Sequence, residues 1–343
     1  YAIISIKGVS ALATIKDVAK LAGVSISTVS YALNASEKVS ETTREKVILA
    51  AKELNYVPNN FAKGLKRTSN NLIAVLVHEM FGPFYDNLIK GIQDTASLVG
   101  YDLVVFIENG MGRNTSVSFL KQNIVKGVII MTSHIKDEDI KDIASHGMPT
   151  VILDRKFNAE NVSNVLIDNE KGAYLAMKHL LDLGHRRIAF ISGPESSYDN
   201  LLRLKGYKKA LKENSIDFDK SLVINADFTE NTGYTSVKRF IENVSVLPTA
   251  FFSSNDEMAI GALKAFSEKK LSVPKDISLV GFDDIKELKY ISPELTTVHR
   301  PMYELGSYSA HLLVNVIEKR TTNNNLMLDV KLIIRGSTDR YRR

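Results

Sequence analysis

The sequence predicts a chain of two unlike parts. A small all-α module at residues 14–57 precedes an α/β body at 72–337, built as two doubly wound parallel-sheet lobes and joined to the module by a linker at 58–71. Three observations carry this reading. Residues 14–57 keep helical periodicity and contain no proline. Residues 58–71 (PNNFAKGLKRTSNN) are polar, Asn-rich and basic, a linker composition. From Leu72 onward, short β-branched runs alternate with amphipathic helical stretches, which means parallel strands covered by helices on both faces.

In the first module, Thr14 is a helix N-cap, with Ile15, Val18, Ala19 and Ala22 as an inward stripe. Gly23-Val24 makes a tight turn, because glycine adopts backbone conformations that are costly to residues with a Cβ. Ser25 caps a second short helix whose Val29, Ala32 and Leu33 face inward. A third helix runs from about Glu41 to Asn55, capped by Ser40, with Val47, Ala50, Ala51 and Leu54 on its core face. A helix, a Gly-containing turn and a capped second helix form a helix-turn-helix, whose second helix enters the DNA major groove. That helix leaves Ile26, Ser27, Ser30 and Tyr31 outward, with Asn34 at its end. The same spacing also fits a plain three-helix bundle with a polar surface.

Eight strand-like runs follow: LIAVLV (72–77), DLVVFI (102–107), GVIIM (127–131), TVILD (150–154), NVLID (164–168), RIAFIS (187–192), TAFFSS (249–254) and SLVGFD (278–283). Between the first two, a helical stretch keeps Leu88, Ile89, Ile92, Ala96 and Val99 near one face. Eight or more strands over about 265 residues require two lobes.

Charge divides the chain in the same place. Residues 1–70 hold ten basic and five acidic side chains, which is the whole net +5 of the 343-residue chain. A basic tail at 335–343 leaves residues 71–334 mildly acidic, with 30 basic and 33 acidic groups. The first module is therefore the part that meets a polyanion. No apolar run reaches the roughly 18 residues a membrane helix needs. The absence of cysteine excludes disulfide frameworks and thiolate metal sites, and it fits a reducing, cytoplasmic compartment. Tyr1–Ala13 lacks the hydrophobic run of a secretory signal.

Ligands of doubly wound sheets sit beyond the carboxyl ends of the strands. The polar and aromatic residues there are Phe84 and Tyr85, Asp154 and Arg155, Asn255 and Asp256, and Asp283 and Asp284. Carboxylates and amides each take two adjacent hydroxyls, and aromatic rings cover the apolar face of a sugar, so the set suits a polyol. Each residue alone also reads as a helix cap or a strand-end ion pair. An enzyme is disfavoured: the seven histidines show no HExxH spacing, there is no GxSxG elbow or P-loop, and GMG at 110–112 lacks a third glycine. His185 and His299 read as strand-edge or cap residues, and neither a metal nor a cofactor is implied.

TIKDVAKLAGVSISTVSYALN (14–34) and VSETTREKVILAAKELNYVPNNFAKGLKR (39–67) resemble the headpiece of the lactose/galactose repressor (LacI/GalR) family of bacterial transcriptional regulators. The likeness continues in VILDR (151–155), IDN (167–169), LGHRRIAFISGP (183–194), SSNDEMAIGAL (253–263), VPKDISLVGFDD (273–284) and LTTVHRPMYELG (295–306), covering about 14–337. The resemblance implies a body like that of periplasmic binding proteins and an allosteric repressor of carbohydrate metabolism. A periplasmic binding protein itself would need an export signal and no basic headpiece.

By position, the resemblance implies that Thr14 and Ser25 hold phosphates, while Ile26, Ser27 and Tyr31 read bases. Asn59, Ala62 and Leu65 match a hinge that becomes helical on the operator, with Leu65 wedged into a central CG step of a palindromic site and Lys63 and Lys66 near phosphates or groove edges. Relatives often place Arg or His where Tyr31 stands, so the bases read there stay open. Asp154, Arg203, Phe228, Asn255 and Asp283 match effector contacts, with Phe84, Tyr85 and Leu88 lining the pocket. An aspartate at Asp154 is commoner in sugar-responsive than in purine-responsive members and favours a sugar or sugar derivative. A purine-type corepressor, or control by a partner such as a phosphocarrier protein, remains the alternative. Two half-sites and two hinges imply a homodimer; the chain has no leucine-heptad tail, so a tetramer is not expected.

Replacing Leu65 with Ala is expected to weaken operator binding markedly in a titration while ligand binding to the body stays unchanged; equal loss of both would mean the hinge lies elsewhere.

Overall fold

The structure, a computed structural model, describes residues 13–33, 38–54, 56, 71–80, 82–108, 110, 115–153, 155–322 and 324–341, without the side chains of Pro83 and Phe84. It divides into two compact units, Tyr1–Asn70 and Asn71–Arg343.

The first unit contains α1 (Ile15–Ala22), α2 (Ile26–Leu33) and α3 (Glu41–Glu53). The start of α1 is fixed locally: the Asp17 carboxylate accepts from the Thr14 backbone N–H at 2.8 Å and from its hydroxyl at 2.6 Å. These bonds hold the Asp17 carboxyl below its usual range, the Thr14 hydroxyl contributing most. The helix stops at Gly23, whose φ of 67° lies in the left-handed region. Ser25 Oγ accepts from the Thr28 N–H at 3.1 Å and Ser40 Oγ from the Thr43 N–H at 3.4 Å, capping α2 and α3. Each helix gives one fully buried valine (Val18, Val29 and Val47), and Ala19, Ala32, Ala50 and Ala51 fill the spaces between them. Full burial of one such valine contributes about 1.5–3 kcal/mol. The third helix ends at Glu53, short of the expected Asn55, with Leu54 as its cap.

The second unit holds two six-stranded sheets. The first lobe has β1 (Leu72–Val77), α4 (Pro83–Leu98), β2 (Asp102–Ile107), α5 (Thr115–Leu120), β3 (Val128–Met131), α6 (Asp137–Ser145), β4 (Thr150–Ile152) and β5 (Val162–Ile167). The second has α7 (Asn169–Asp182), β6 (Ile188–Ser192), α8 (Tyr198–Glu213), β7 (Val223–Asn225), α9 (Glu230–Asn243), β8 (Ala250–Ser253), α10 (Asp256–Glu268), β9 (Ser278–Asp283) and β10 (Thr296–His299). The chain then returns to the first lobe with α11 (Met302–Ile317) and β11 (Asn325–Leu328), and ends its strands with β12 (Lys331–Ile333) in the second.

Strand orders are β11-β5-β4-β3-β1-β2 and β12-β10-β9-β8-β6-β7. All neighbours are parallel except the antiparallel β10–β12 pair. Both lobes therefore repeat one doubly wound order, with a switch point where the connections reverse. Strands β3, β6 and β8 are buried along their whole length, because helices cover both faces. The strands that the apolar runs do not announce (β7, β10, β11 and β12) are short and either polar or partly exposed. Val99 departs from the expected apolar face of α4: it follows the helix as its cap and is 41% exposed.

The chain crosses between the lobes three times, at Asp168–Asn169, Arg300–Pro301 and Asp329–Val330. After the second crossing, α11 packs on α4 through backbone. A Cβ on Gly306 would stand 2.2 Å from the Leu88 carbonyl oxygen, and one on Gly91 would stand 2.1 Å from that of Tyr303. Two glycines facing backbone thus set how closely the returning helix meets the first lobe. Gly306→Ala is expected to force these helices apart and to destabilise the body by about 2–4 kcal/mol, read as a lower urea midpoint. An unchanged midpoint would show that the contact relaxes freely.

Candidate functional site

In the first unit, the outer face of α2 presents Ile26 and Tyr31 at 45% and 43% exposure, with Thr14, Ser25 and Ser27 exposed beside them. Ser30 differs from expectation in being half-buried: it lies about 60° around the helix from Leu33, which packs on the core. The Ser25 hydroxyl is within hydrogen-bond distance of those of Ser27 (2.7 Å) and Thr28 (2.8 Å), so the start of α2 is a linked row of hydroxyls. Lys38 Nζ sits 5.5 Å from the centroid of the Tyr31 ring and brings positive charge to this face. An exposed apolar side chain, a phenol and several hydroxyls on a capped short helix are the groups that reach base edges and phosphates. Asn34, Asn59, Ala62, Lys63, Leu65 and Lys66 lie outside the described residues.

In the second unit, Arg203 and Asp283 meet at the carboxyl ends of the second-lobe strands. Arg203, on α8, is 2% exposed. Its Nε donates to Asn169 Oδ1 at 2.9 Å, Nη1 donates to the Ser254 carbonyl, and Nη2 reaches Asp199 Oδ2 at 3.5 Å and Asp283 Oδ1 at 3.8 Å. The guanidinium also lies 4.0 Å from the centroid of the Phe282 ring. Burial, and secondarily the nearby Arg300, lowers its pKa to about 10, so it stays charged at neutral pH.

Asp283 ends β9 with φ 118°, a left-handed conformation that a residue with a Cβ holds only under constraint. The constraint is Arg300, whose Nη1 donates to Asp283 Oδ1 at 3.1 Å while its Nη2 donates to Asp199 Oδ2 at 3.0 Å. Burial raises the Asp283 pKa, and the two arginines oppose that rise. Asn169, at the first crossing, donates to Asp199 Oδ1 at 2.9 Å and fixes that carboxylate from its other side. Two arginines and two aspartates thus form a charge-balanced cluster at the junction of the lobes. Sequence reading missed Asp199, Asn169 and Arg300 as the residues that position Arg203 and Asp283, although Asn169 and Arg300 lie inside the motifs IDN and LTTVHRPMYELG.

Other expected contacts divide. Phe228 is half-buried with φ 74°, 6.0 Å from the Arg203 guanidinium and against Gly193. Its conformation is held by Asn255, which donates to the Phe228 carbonyl at 2.8 Å and accepts from the Met258 N–H at 3.0 Å as the cap of α10. Asn255 thus caps the helix and holds the loop, with one bond at each end of its amide. Leu88 is fully buried in the core between α4 and the sheet. Tyr85 is half-buried against the same core, and Asp154 and the Phe84 side chain lie outside the described residues.

Arg155 bonds the Thr132 and Ile135 carbonyls and the Asp137 carboxylate, a loop-bracing role. Asp256, fully buried, accepts from the Thr297 hydroxyl at 2.6 Å and the Ile285 N–H at 3.1 Å. Asp284 pairs with His299 at 3.0 Å and with Arg335 at 2.6 Å. His185 is buried between Thr249 and Ser278. Among the described residues, no group of three His, Cys, Asp or Glu is placed to hold a metal, and no helix is long and apolar enough to cross a membrane.

Lys286 of the second lobe and Asp86 of α4 form an ion pair between the lobes at 2.6 Å. Nearby, the half-buried Glu257 at the start of α10 has its carboxyl pushed up to about 7, chiefly by burial and then by the charges of Asp283 and Glu79.

Residues 14–59 match the model of the bacterial regulatory proteins, lacI family, and residues 177–338 match that of a periplasmic binding protein-like domain. The chain is 35% identical over 312 residues to the HTH-type transcriptional repressor PurR of Vibrio atlanticus (strain LGP32), covering 90% of this chain and 93% of that protein. It is similar to a LacI family transcriptional regulator from Enterococcus faecium with bound ribose, with a TM-score of 0.72 and 30% identity over 79% of this chain and 100% of that one. It is also similar to the lac repressor dimer bound to operator and the anti-inducer ONPF, with a TM-score of 0.72 and 32% identity over 95% and 99%.

The raised Glu257 carboxyl fixes the sign of a pH effect. Between its ordinary value of 4.5 and about 7, the folded chain binds a proton that the unfolded chain releases. Its contribution to stability is therefore fullest at the acid end of that window and is lost as pH rises through 7. Unfolding curves at about pH 5 and about pH 8 should show Glu257→Gln gaining roughly 2 kcal/mol on the parent at the higher pH. Parallel profiles would assign the charge elsewhere.

Proposed function

The chain belongs to the lacI family of bacterial regulatory proteins and is a DNA-binding transcriptional regulator; on that premise we propose that it represses genes of carbohydrate use as a homodimer, under control of a neutral sugar or sugar derivative bound at Arg203 and Asp283. In this reading the outer face of α2 supplies base contacts through Ile26, Ser27 and Tyr31, with phosphates met by Thr14, Ser25 and the basic side chains before residue 71. A regulator of chromosomal genes works in the cytoplasm.

The observation that carries the ligand class is the charge balance of the buried cluster. Arg203 and Arg300 are already matched by Asp199 and Asp283. Glu257, whose carboxyl is pushed up to about 7 by burial and by Asp283, supplies no positive charge to this site. A phosphate or carboxylate on the ligand would enter a site whose positive charge is engaged and would face aspartates. A hydroxylated neutral ligand instead finds Asp283 Oδ2, on which the described residues place no donor, and the half-buried Phe228 ring for its apolar face. The relative crystallised with ribose supports the same class.

Control then follows as a coupling free energy between two sites, since the three crossings let a ligand at the junction bias how the lobes sit. A thermal-shift screen of neutral sugars, sugar phosphates and purine bases tests this directly. Neutral sugars are expected to raise Tm, and Asp283→Asn is expected to remove that shift. Protection by purines alone would overturn the sugar reading.

A further inference from the structure

Arg300 occupies the second crossing, where β10 ends and α11 begins, and it is 5% exposed. Its backbone is tied to the same place as its side chain: its N–H donates to the Asp283 carbonyl at 3.4 Å, and its own carbonyl accepts from the Met302 N–H at 2.8 Å. One guanidinium nitrogen holds Asp283 at 3.1 Å and the other holds Asp199 at 3.0 Å. Asp199 is in turn held by Asn169 at the first crossing, at 2.9 Å. A single side chain therefore joins the floor of the ligand site to two of the three segments on which the lobes turn.

We propose that Arg300 is the positioning residue that converts ligand binding at Asp283 into movement of the crossings. The inference rests on the reading of Arg203 and Asp283 as the effector site. Asp283 Oδ1 already serves Arg300 and faces Arg203, whereas the described residues place no donor on Oδ2. A ligand hydroxyl donating to Oδ2 draws on the negative charge that holds Arg300. The weakened Arg300–Asp283 bond frees the start of α11, and through Asp199 the change reaches Asn169. Ligand and crossing thus compete for one carboxylate, which is the differential interaction that a two-state response requires.

The test uses the full chain, a duplex selected by the parent protein from a randomised library, and three variants: Arg300→Lys, Arg300→Gln and the double variant Arg300→Gln with Asp199→Asn. Arg300→Gln should lower Tm and change ligand-free operator affinity by about tenfold or more, because the crossing is released without ligand. The double variant leaves no unpaired charge, so its Tm should recover while operator affinity stays altered; it carries the test if the single variant does not fold. Arg300→Lys should restore operator affinity in part. Ligands that protect the parent in the sugar screen should still protect the double variant but shift its operator affinity less than about twofold. Operator affinity that returns to the parent value together with Tm, or a folded Arg300→Gln with parent affinity, overturns the proposal and leaves Arg300 a stabilising residue only. A screen in which no compound protects the parent overturns the effector reading instead, and the ligand-free affinities then decide Arg300 on their own.

Discussion

Two buried arginines, faced by two half-buried aspartates where the lobes join, constrain the rest of the body. Arg203 and Arg300 are 2% and 5% exposed, and an isolated ion at that depth would cost several kcal/mol. Their burial is tolerable only with Asp199 and Asp283 opposite them, and Asn169 and the Ser254 carbonyl add further partners for Arg203 and Asp199. That requirement reaches into the backbone. Asp283 accepts a left-handed φ so that its carboxylate turns toward the arginines, and the crossing at Arg300 is pinned to the end of β9. The Phe282 ring under Arg203 covers the guanidinium face that no acceptor can reach.

What was legible in the sequence is what is decided locally. Thr14 with Asp17, Ser25 and Ser40 announce helix starts because a cap needs only the next three or four residues. Strands such as Ile188–Ser192 stand out because burial on both faces leaves only the last residue, Ser192, polar. Lys331–Ile333 and Thr296–His299 carry no such run; their pairing with strands far away in sequence makes them strands.

The site follows the same rule. Arg203 and Asp283 were identifiable through resemblance, but Asp199 and Arg300 join them only because the fold brings together residues about a hundred positions apart. Asn255 shows the ambiguity that a single residue type carries: an asparagine after a strand serves equally as cap or ligand contact, and the geometry engages its amide in the cap and the Phe228 loop. Leu88 had two readings as well, and its place on the apolar stripe of α4 is the one that local periodicity announces, with α11 closing over that helix.

A charge-balanced site selects differently from a charged one. With Arg203 and Arg300 matched internally, net attraction does not decide which ligand enters, and discrimination falls to the geometry of hydrogen bonds. A buried carboxylate such as Asp283 penalises any ligand that excludes water from it without offering a hydroxyl, by about 1–3 kcal/mol for each group left unmet. Related sugars that differ in one hydroxyl would then be separated without any steric barrier. In the same reading the headpiece works by the opposite principle: its excess of basic side chains meets phosphates irrespective of sequence, and specificity is left to a few outward groups on α2. In the proposed reading the segregation of charge along the chain is thus a division of labour: attraction belongs to the first seventy residues, and discrimination within the body to a cluster whose charges cancel.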